Sequence, residues 1–181
     1  MVYTHHCASP FGGITAACNA DGDALVGLWF DGQTRFGSTL TDCSVTRCLP
    51  ILRDAERWLD IYFSGHEPDF LPPISLDGSP FRLAVWNCLR EIPWGQVITY
   101  GEVARRLEGE YGRRISAQAV GGAVGHNPIS LMIPCHRVIG ADGCLVGYAG
   151  GLGLKRGLLQ LEGADLSGQH KRTARRPVGR R

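Results

Sequence analysis

No apolar run in the 181 residues approaches the about 18 that a helix needs to cross a bilayer. The opening "MVYTHHCASP" lacks a basic region followed by a long apolar stretch, so it does not read as a secretory leader, and the chain is expected in the cytoplasm. No cysteine pair forms C-x-x-C, and no pair-plus-pair spacing suits zinc. The seven cysteines, at 7, 18, 43, 48, 88, 135 and 144, are odd in number and irregularly spaced. That argues against a disulfide framework and for reduced thiols, most of them small core residues. His5, His6 and Cys7 could hold a metal, but His6 and Cys7 are neighbours and no further ligand pair supports them.

Charge of one sign is scarce at both ends. Residues 1–80 carry 4 basic and 10 acidic side chains, whereas "GQHKRTARRPVGRR" at 168–181 carries 6 basic residues and no acid. Between them, 81–167 carry 9 basic and 7 acidic residues, so the body does not announce a nucleic-acid binder. The tail lacks apolar residues to bury and is expected to be disordered, either merely solvated or weakly attracted to polyphosphate. An apolar share of 44% with 20% charged residues is ordinary for a globular chain.

"GGITAACNADGDALVGLWFDGQ" predicts two strands around a turn at Asp21-Gly22-Asp23. "LPILRDAERWLDIYF" places Leu52, Leu59 and Phe63 on helical spacing. Four prolines in the sixteen residues of "GHEPDFLPPISLDGSP" then break regular structure. Ser79-Pro80 is an N-cap followed by proline at the first helical position, opening a helix with Phe81, Val85, Cys88, Leu89 and Ile92 on one side. Thr99 and Glu102 have capping-box spacing before "YGEVARRLE", and Ser116 caps "AQAVGGAV", so a helix-turn-helix is expected. The fold class is therefore α/β. An N-terminal sheet-and-helix domain (1–70) and a linker (71–78) precede a mainly helical C-terminal domain (79–165) and the basic tail (166–181).

Gly121 and Gly122 cost together about 2 kcal/mol relative to alanines inside a helix. Either another helix packs closely there, or the helix approaches something outside, such as a nucleic-acid groove. In "LMIPCHRVIG", Pro134 terminates the short apolar run "ISLMI", so Cys135 is expected at a strand end or turn. In a straight strand Cys135 and His136 face opposite sides, so a working pair requires a bend or a bridging water. Taken alone, the dipeptide reads more simply as a buried small thiol beside a hydrogen-bonded core histidine.

The surroundings change that reading. "NPISLMIPCHRVIG", followed by "GYAGGLGLKRGLLQLEG", resembles the active-site region of O6-alkylguanine-DNA alkyltransferases, the methylated-DNA–protein-cysteine methyltransferases. The resemblance extends through "VWNCLREIPWGQVITYGEVA" and "AVGGAVGHNP", and weakly through "SPFGGI" and "LVGLWFDGQ". It implies transfer of an alkyl group from O6-alkylguanine in double-stranded DNA, and more weakly from O4-methylthymine, to Cys135 itself. Each molecule would react once, without cofactor and without metal for chemistry, as a monomer. By this resemblance His136 takes the thiol proton, Glu162 orients His136, Asn127 ties the preceding turn to the site, and Tyr100 donates to the purine. The small-residue helix, with Ala119, Gly121, Gly122 and Ala123, would lie in the minor groove while the target base is rotated out. Gln118 stands where the family carries the arginine that fills the vacated space, a departure that removes a planar cation. Pro134, Tyr148 and Ala149 would shape the base pocket, and Arg137 would tie the site to the N-terminal domain. Cys88 and Cys144 are read as structural. Two other readings are a lesion-binding protein without transfer activity and a thiol redox or metal sensor. The first resembles alkyltransferase-like proteins, which carry another residue in place of the motif cysteine.

Overall fold

The computed structural model describes residues 1–166. The hairpin expected around Asp21–Asp23 joins strands β2 (Gly12–Cys18) and β3 (Leu25–Phe30), antiparallel with Ile14 opposite Phe30 and Ala16 opposite Leu28. Sequence periodicity did not reveal the strand before them, β1 (Val2–Ser9), which pairs antiparallel with β2, Cys7 facing Ile14. Its histidines blur the apolar alternation that marks a strand. A three-residue β4 (Ser44–Thr46) adds parallel to β1, giving the order β3-β2-β1-β4.

Helix α1 (Pro50–Phe63) lays Leu52, Ala55, Leu59 and Tyr62 against the sheet. Helix α2 (Pro80–Arg90) starts as its sequence dictates, Ser79 accepting a hydrogen bond from the Arg82 amide. After a two-residue β5 (Ile98–Thr99), the Thr99–Glu102 capping box starts α3 (Tyr100–Tyr111), one turn longer than "YGEVARRLE" suggests. Gly112, at φ 61°, ends it in the left-handed conformation that glycine adopts without penalty. Ser116 caps α4 (Ala117–Val124), which packs on both α2 and α3, and Trp86 Nε1 donates to the Ala123 carbonyl at 3.0 Å. A single 3₁₀ turn (Cys135–Arg137) leads into β6 (Val138–Ile139), parallel to β5, and α5 (Gly151–Leu161) closes the fold.

The two halves share one apolar core, from Cys7 and Ile14 through Tyr62 and Trp86 to Val138 and Leu158. The free edge of β3 joins them. Leu25 exchanges backbone hydrogen bonds with Pro73 and Ser75, and Leu28 does so with Pro128 and Ser130. The segment expected to be a plain linker thus adds to the sheet. Among the described residues no helix is long and apolar enough to cross a membrane. The expectation for the basic tail falls, apart from its first residue, outside the described residues.

Candidate active site

The run "ISLMI" is not a strand. Ile129 makes one bridge to Leu28, then the chain turns, with the Met132 amide on the Ser130 carbonyl and the Ile133 amide on the Ile129 carbonyl. Leu131 has φ 68° while buried, a conformation costing a bulky residue of order 1–2 kcal/mol, held by the core around it. Apolar character here reflects burial of a turn, so a periodicity argument misreads it.

Asn127 builds this turn. Its Nδ2 donates to the Ile133 carbonyl at 2.8 Å and to Cys135 Sγ at 3.2 Å, while its Oδ1 accepts from the Ile129 amide at 3.0 Å. Cys135 is buried but forms part of the wall of a cavity of about 230 Å³, lined also by Thr34, Tyr100, Asn127, Tyr148 and Ala149. That volume is below the about 300–1,000 Å³ of sites for drug-sized ligands and suits a single base. Burial pushes the Cys135 thiol pKa up; the Asn127 amide, the Lys155 charge and the backbone amides of 135 and 136 oppose it. The thiol therefore stays protonated until a base takes its proton, and the resulting thiolate meets donors already in place.

The bend of the 3₁₀ turn sends His136 the other way, into the core, where it is fully buried. Its Nε2 meets Glu162 Oε1 at 2.7 Å, and its Nδ1 has no hydrogen-bond partner among the described residues. Glu162 sits just past the end of α5 at the centre of a dense network. Arg137 Nε donates to its Oε2 at 2.8 Å, Arg137 Nη2 to its Oε1 at 3.0 Å, and Tyr62 Oη to its Oε1 at 2.7 Å. Burial alone would raise the Glu162 pKa; His136 and the bidentate Arg137 outweigh it and hold the carboxyl at about 2. Burial lowers the His136 pKa, with Glu162 opposing, so the imidazole is neutral and able to accept a proton.

Lys155, also buried, donates from Nζ to the carbonyls of Val138 at 2.5 Å and Val146 at 2.8 Å. Burial brings its pKa down to about 8. The rim of the cavity is tied to the first half of the chain by the Thr34 amide, which donates to the Ala149 carbonyl at 2.9 Å.

Cys135, Asn127, Tyr100, Tyr148 and Ala149 gather at the cavity, while His136, the next residue, pairs with Glu162 in the core, its ring edge-on to that of Tyr148 at 6.5 Å. Gln118, Ala119 and Gly122 are exposed on α4, and Gly121 forms part of the cavity wall. A Cβ at Gly122 would meet nothing within 4 Å, and one at Gly121 only the Tyr100 ring at 3.8 Å, so internal packing does not require either glycine. Three expectations are corrected. Ala123 is buried beneath α4, against Trp86, and presents nothing outward. Pro134 lines a separate cavity with Trp94 and Arg137 and not the one that Cys135 lines. Arg137 finds its acceptors on Glu162 and, through Nη1 at 2.6 Å, on the Ile92 carbonyl, so it is spent within the second half of the chain. Sequence reasoning missed Tyr62, Thr34 and Lys155. The first two come from the other half and leave no local signal; Lys155 lies inside the quoted "GLGLKRG", where a lone lysine among apolar residues was the available clue.

Residues 80–164 match the DNA-binding domain of 6-O-methylguanine DNA methyltransferase. The methylated-DNA–protein-cysteine methyltransferase of Methanosarcina acetivorans is 46% identical over 112 residues, 62% of this chain and 69% of its own. That of Haemophilus influenzae is 46% identical over 115 residues, 63% of this chain and 62% of its own. The aligned part thus spans about two thirds of these relatives. Among solved structures, Mycobacterium tuberculosis OGT in complex with DNA superposes with TM-score 0.76 at 36% identity, covering 92% of this chain and 94% of that one. The O6-methylguanine methyltransferase of the same organism gives 0.75 at 38% identity, covering 92% and 98%.

Proposed function

Since the chain belongs to the methylated-DNA–protein-cysteine methyltransferase family, we propose that it repairs O6-alkylguanine in duplex DNA by accepting the alkyl group on Cys135, with O4-methylthymine a weaker substrate. The observation that carries this is Cys135 in the wall of a base-sized cavity, with Asn127 donating to its Sγ and the next residue, His136, paired with Glu162.

Because Nε2 of His136 is engaged by the Glu162 carboxylate, the proton is assigned to Nε2 and the lone pair to Nδ1. Nδ1 takes the Cys135 proton, directly or through a water, and Glu162 stabilises the imidazolium. The thiolate attacks the alkyl carbon in line with the oxygen. The S–C bond forms as the C–O6 bond breaks, and the electron pair leaves with guanine, which regains a proton from the Tyr100 hydroxyl or solvent. A thioether has no good leaving group, so the protein is consumed.

The exposed face of α4, Gln118, Ala119 and Gly122, is the surface we assign to the minor groove, with Gln118 entering the stack as the target nucleotide turns out. Arg113 and Arg114, exposed in the turn between α3 and α4, stand beside it as phosphate contacts. We place the reaction in the cytoplasm, a reducing compartment that suits seven unpaired cysteines.

DNA carrying a labelled O6-methyl group tests this. One label per protein should move to the peptide containing Cys135, while Cys135→Ser binds the same DNA without transfer. Label that stays on DNA while the complex forms refutes transfer and leaves a lesion-binding protein.

A further inference from the structure

The histidine-cysteine triple near the N-terminus divides in three dimensions. Strand alternation sends His6 to the face where its Nε2 pairs with Asp31 at 3.1 Å, while His5 and Cys7 share the face that packs on α1. There Glu56 of α1 joins them. His5 Nε2 and Glu56 Oε2 are 3.3 Å apart, and both lie with Cys7 Sγ within 4.8 Å of one another. Two nitrogen or oxygen ligands about 2.0–2.1 Å from a tetrahedral zinc ion are about 3.3 Å apart, and a sulfur ligand at about 2.3 Å lies about 3.6 Å from either. The His5–Glu56 separation therefore already has the right value, and Cys7 Sγ needs to move by little more than about 1 Å.

We propose that His5, Cys7 and Glu56 form a structural zinc site that fastens β1 to α1. Imidazole, thiolate and carboxylate together select zinc over the hard, oxygen-seeking magnesium and calcium ions. Cys7 is buried, while the side chains of His5 and Glu56 are 23% and 43% exposed, so the cluster opens to solvent on one side, where an ion enters and a water completes the tetrahedron. Asp60 lies near enough to act electrostatically on Cys7 and adds negative potential. Without a metal, burial and then the charges of Glu56 and Asp60 push the Cys7 thiol up to about 12, leaving it inert as a nucleophile. The site is separate from the reaction centre: Glu56 precedes Tyr62 on α1 by six residues, about 9 Å along the helix axis.

Full-length protein stripped with a chelator and titrated with zinc against a chromophoric competitor tests the site. The expected result is one tight equivalent, and cobalt in its place should give a thiolate-to-cobalt charge-transfer band. Cys7→Ser should abolish the band and weaken binding at least 100-fold. Glu56→Gln, at a side chain partly in solvent and safe for folding, should weaken it at least tenfold while Cys135 alkylation proceeds at the unaltered rate. Absence of a stoichiometric equivalent in the unaltered protein overturns the proposal, as does a Glu56→Gln affinity within tenfold of it.

Discussion

Replacing Glu162 by glutamine keeps its size and removes one charge from a site where both oxygens are engaged by His136, Arg137 and Tyr62. The carboxyl falls from its ordinary 4.5 to about 2, and at about 1.4 kcal/mol per pKa unit the charged form contributes about 3 kcal/mol to the folded state. A depressed carboxylate adds stability above its unfolded pKa, and that stability is lost as pH falls through the folded value. The contribution is therefore complete at pH 7, declines below about pH 5 and is gone near pH 2. Arg137, 8% exposed, keeps a neutral amide oxygen and the Ile92 carbonyl as acceptors but loses its counter-charge, consistent with the about 3–5 kcal/mol lost when one member of a buried pair is removed. In a protein of this size the loss lowers Tm by about 6–12 °C. Urea unfolding followed by tryptophan fluorescence should show Glu162→Gln about 3 kcal/mol less stable than the parent at pH 7, the gap narrowing between pH 5 and pH 3. A gap under about 1 kcal/mol, or one that does not change with pH, would refute the assignment of Glu162 as the charged centre of this network.

Gly122→Ala should stabilise α4 by up to about 1 kcal/mol in thermal unfolding, since its Cβ meets open space, yet weaken binding to duplex DNA; unchanged affinity would mean this face does not approach the groove. Tyr62→Phe removes the 2.7 Å bond to Glu162 and should cost about 1–3 kcal/mol, slowing single-turnover transfer several-fold without altering DNA affinity in a gel-shift titration. Gln118→Arg should tighten binding to duplex substrate or speed its repair, and equal rates in both would show that this side chain stays outside the stack.

Legibility from the sequence followed the range of the interaction. Ser79, Thr99 with Glu102, and Ser116 cap helices within three residues of themselves, and each start was read correctly. Glu162 is 26 residues beyond His136, and no periodicity connects them; the family resemblance alone put them in one site. Tyr62 and Thr34 reach the site through tertiary packing of the first half, for which the chain carries no local mark. The turn at 129–133 defeated pattern reading because a left-handed leucine, stabilised only by the surrounding core, allows an apolar run to curl instead of extend. Arg137 was assigned acceptors in the first half by the family resemblance, whereas the carboxylate that holds it lies 25 residues further along the chain.

The position of Glu162 at the far end of the described chain has a consequence for biosynthesis. A ribosome must read 26 codons past the histidine before it acquires its carboxylate, and 25 past Arg137 before that residue gains its counter-charge. A nascent chain that stops between the cysteine and Glu162 therefore carries the thiol without the His136–Glu162–Arg137 network.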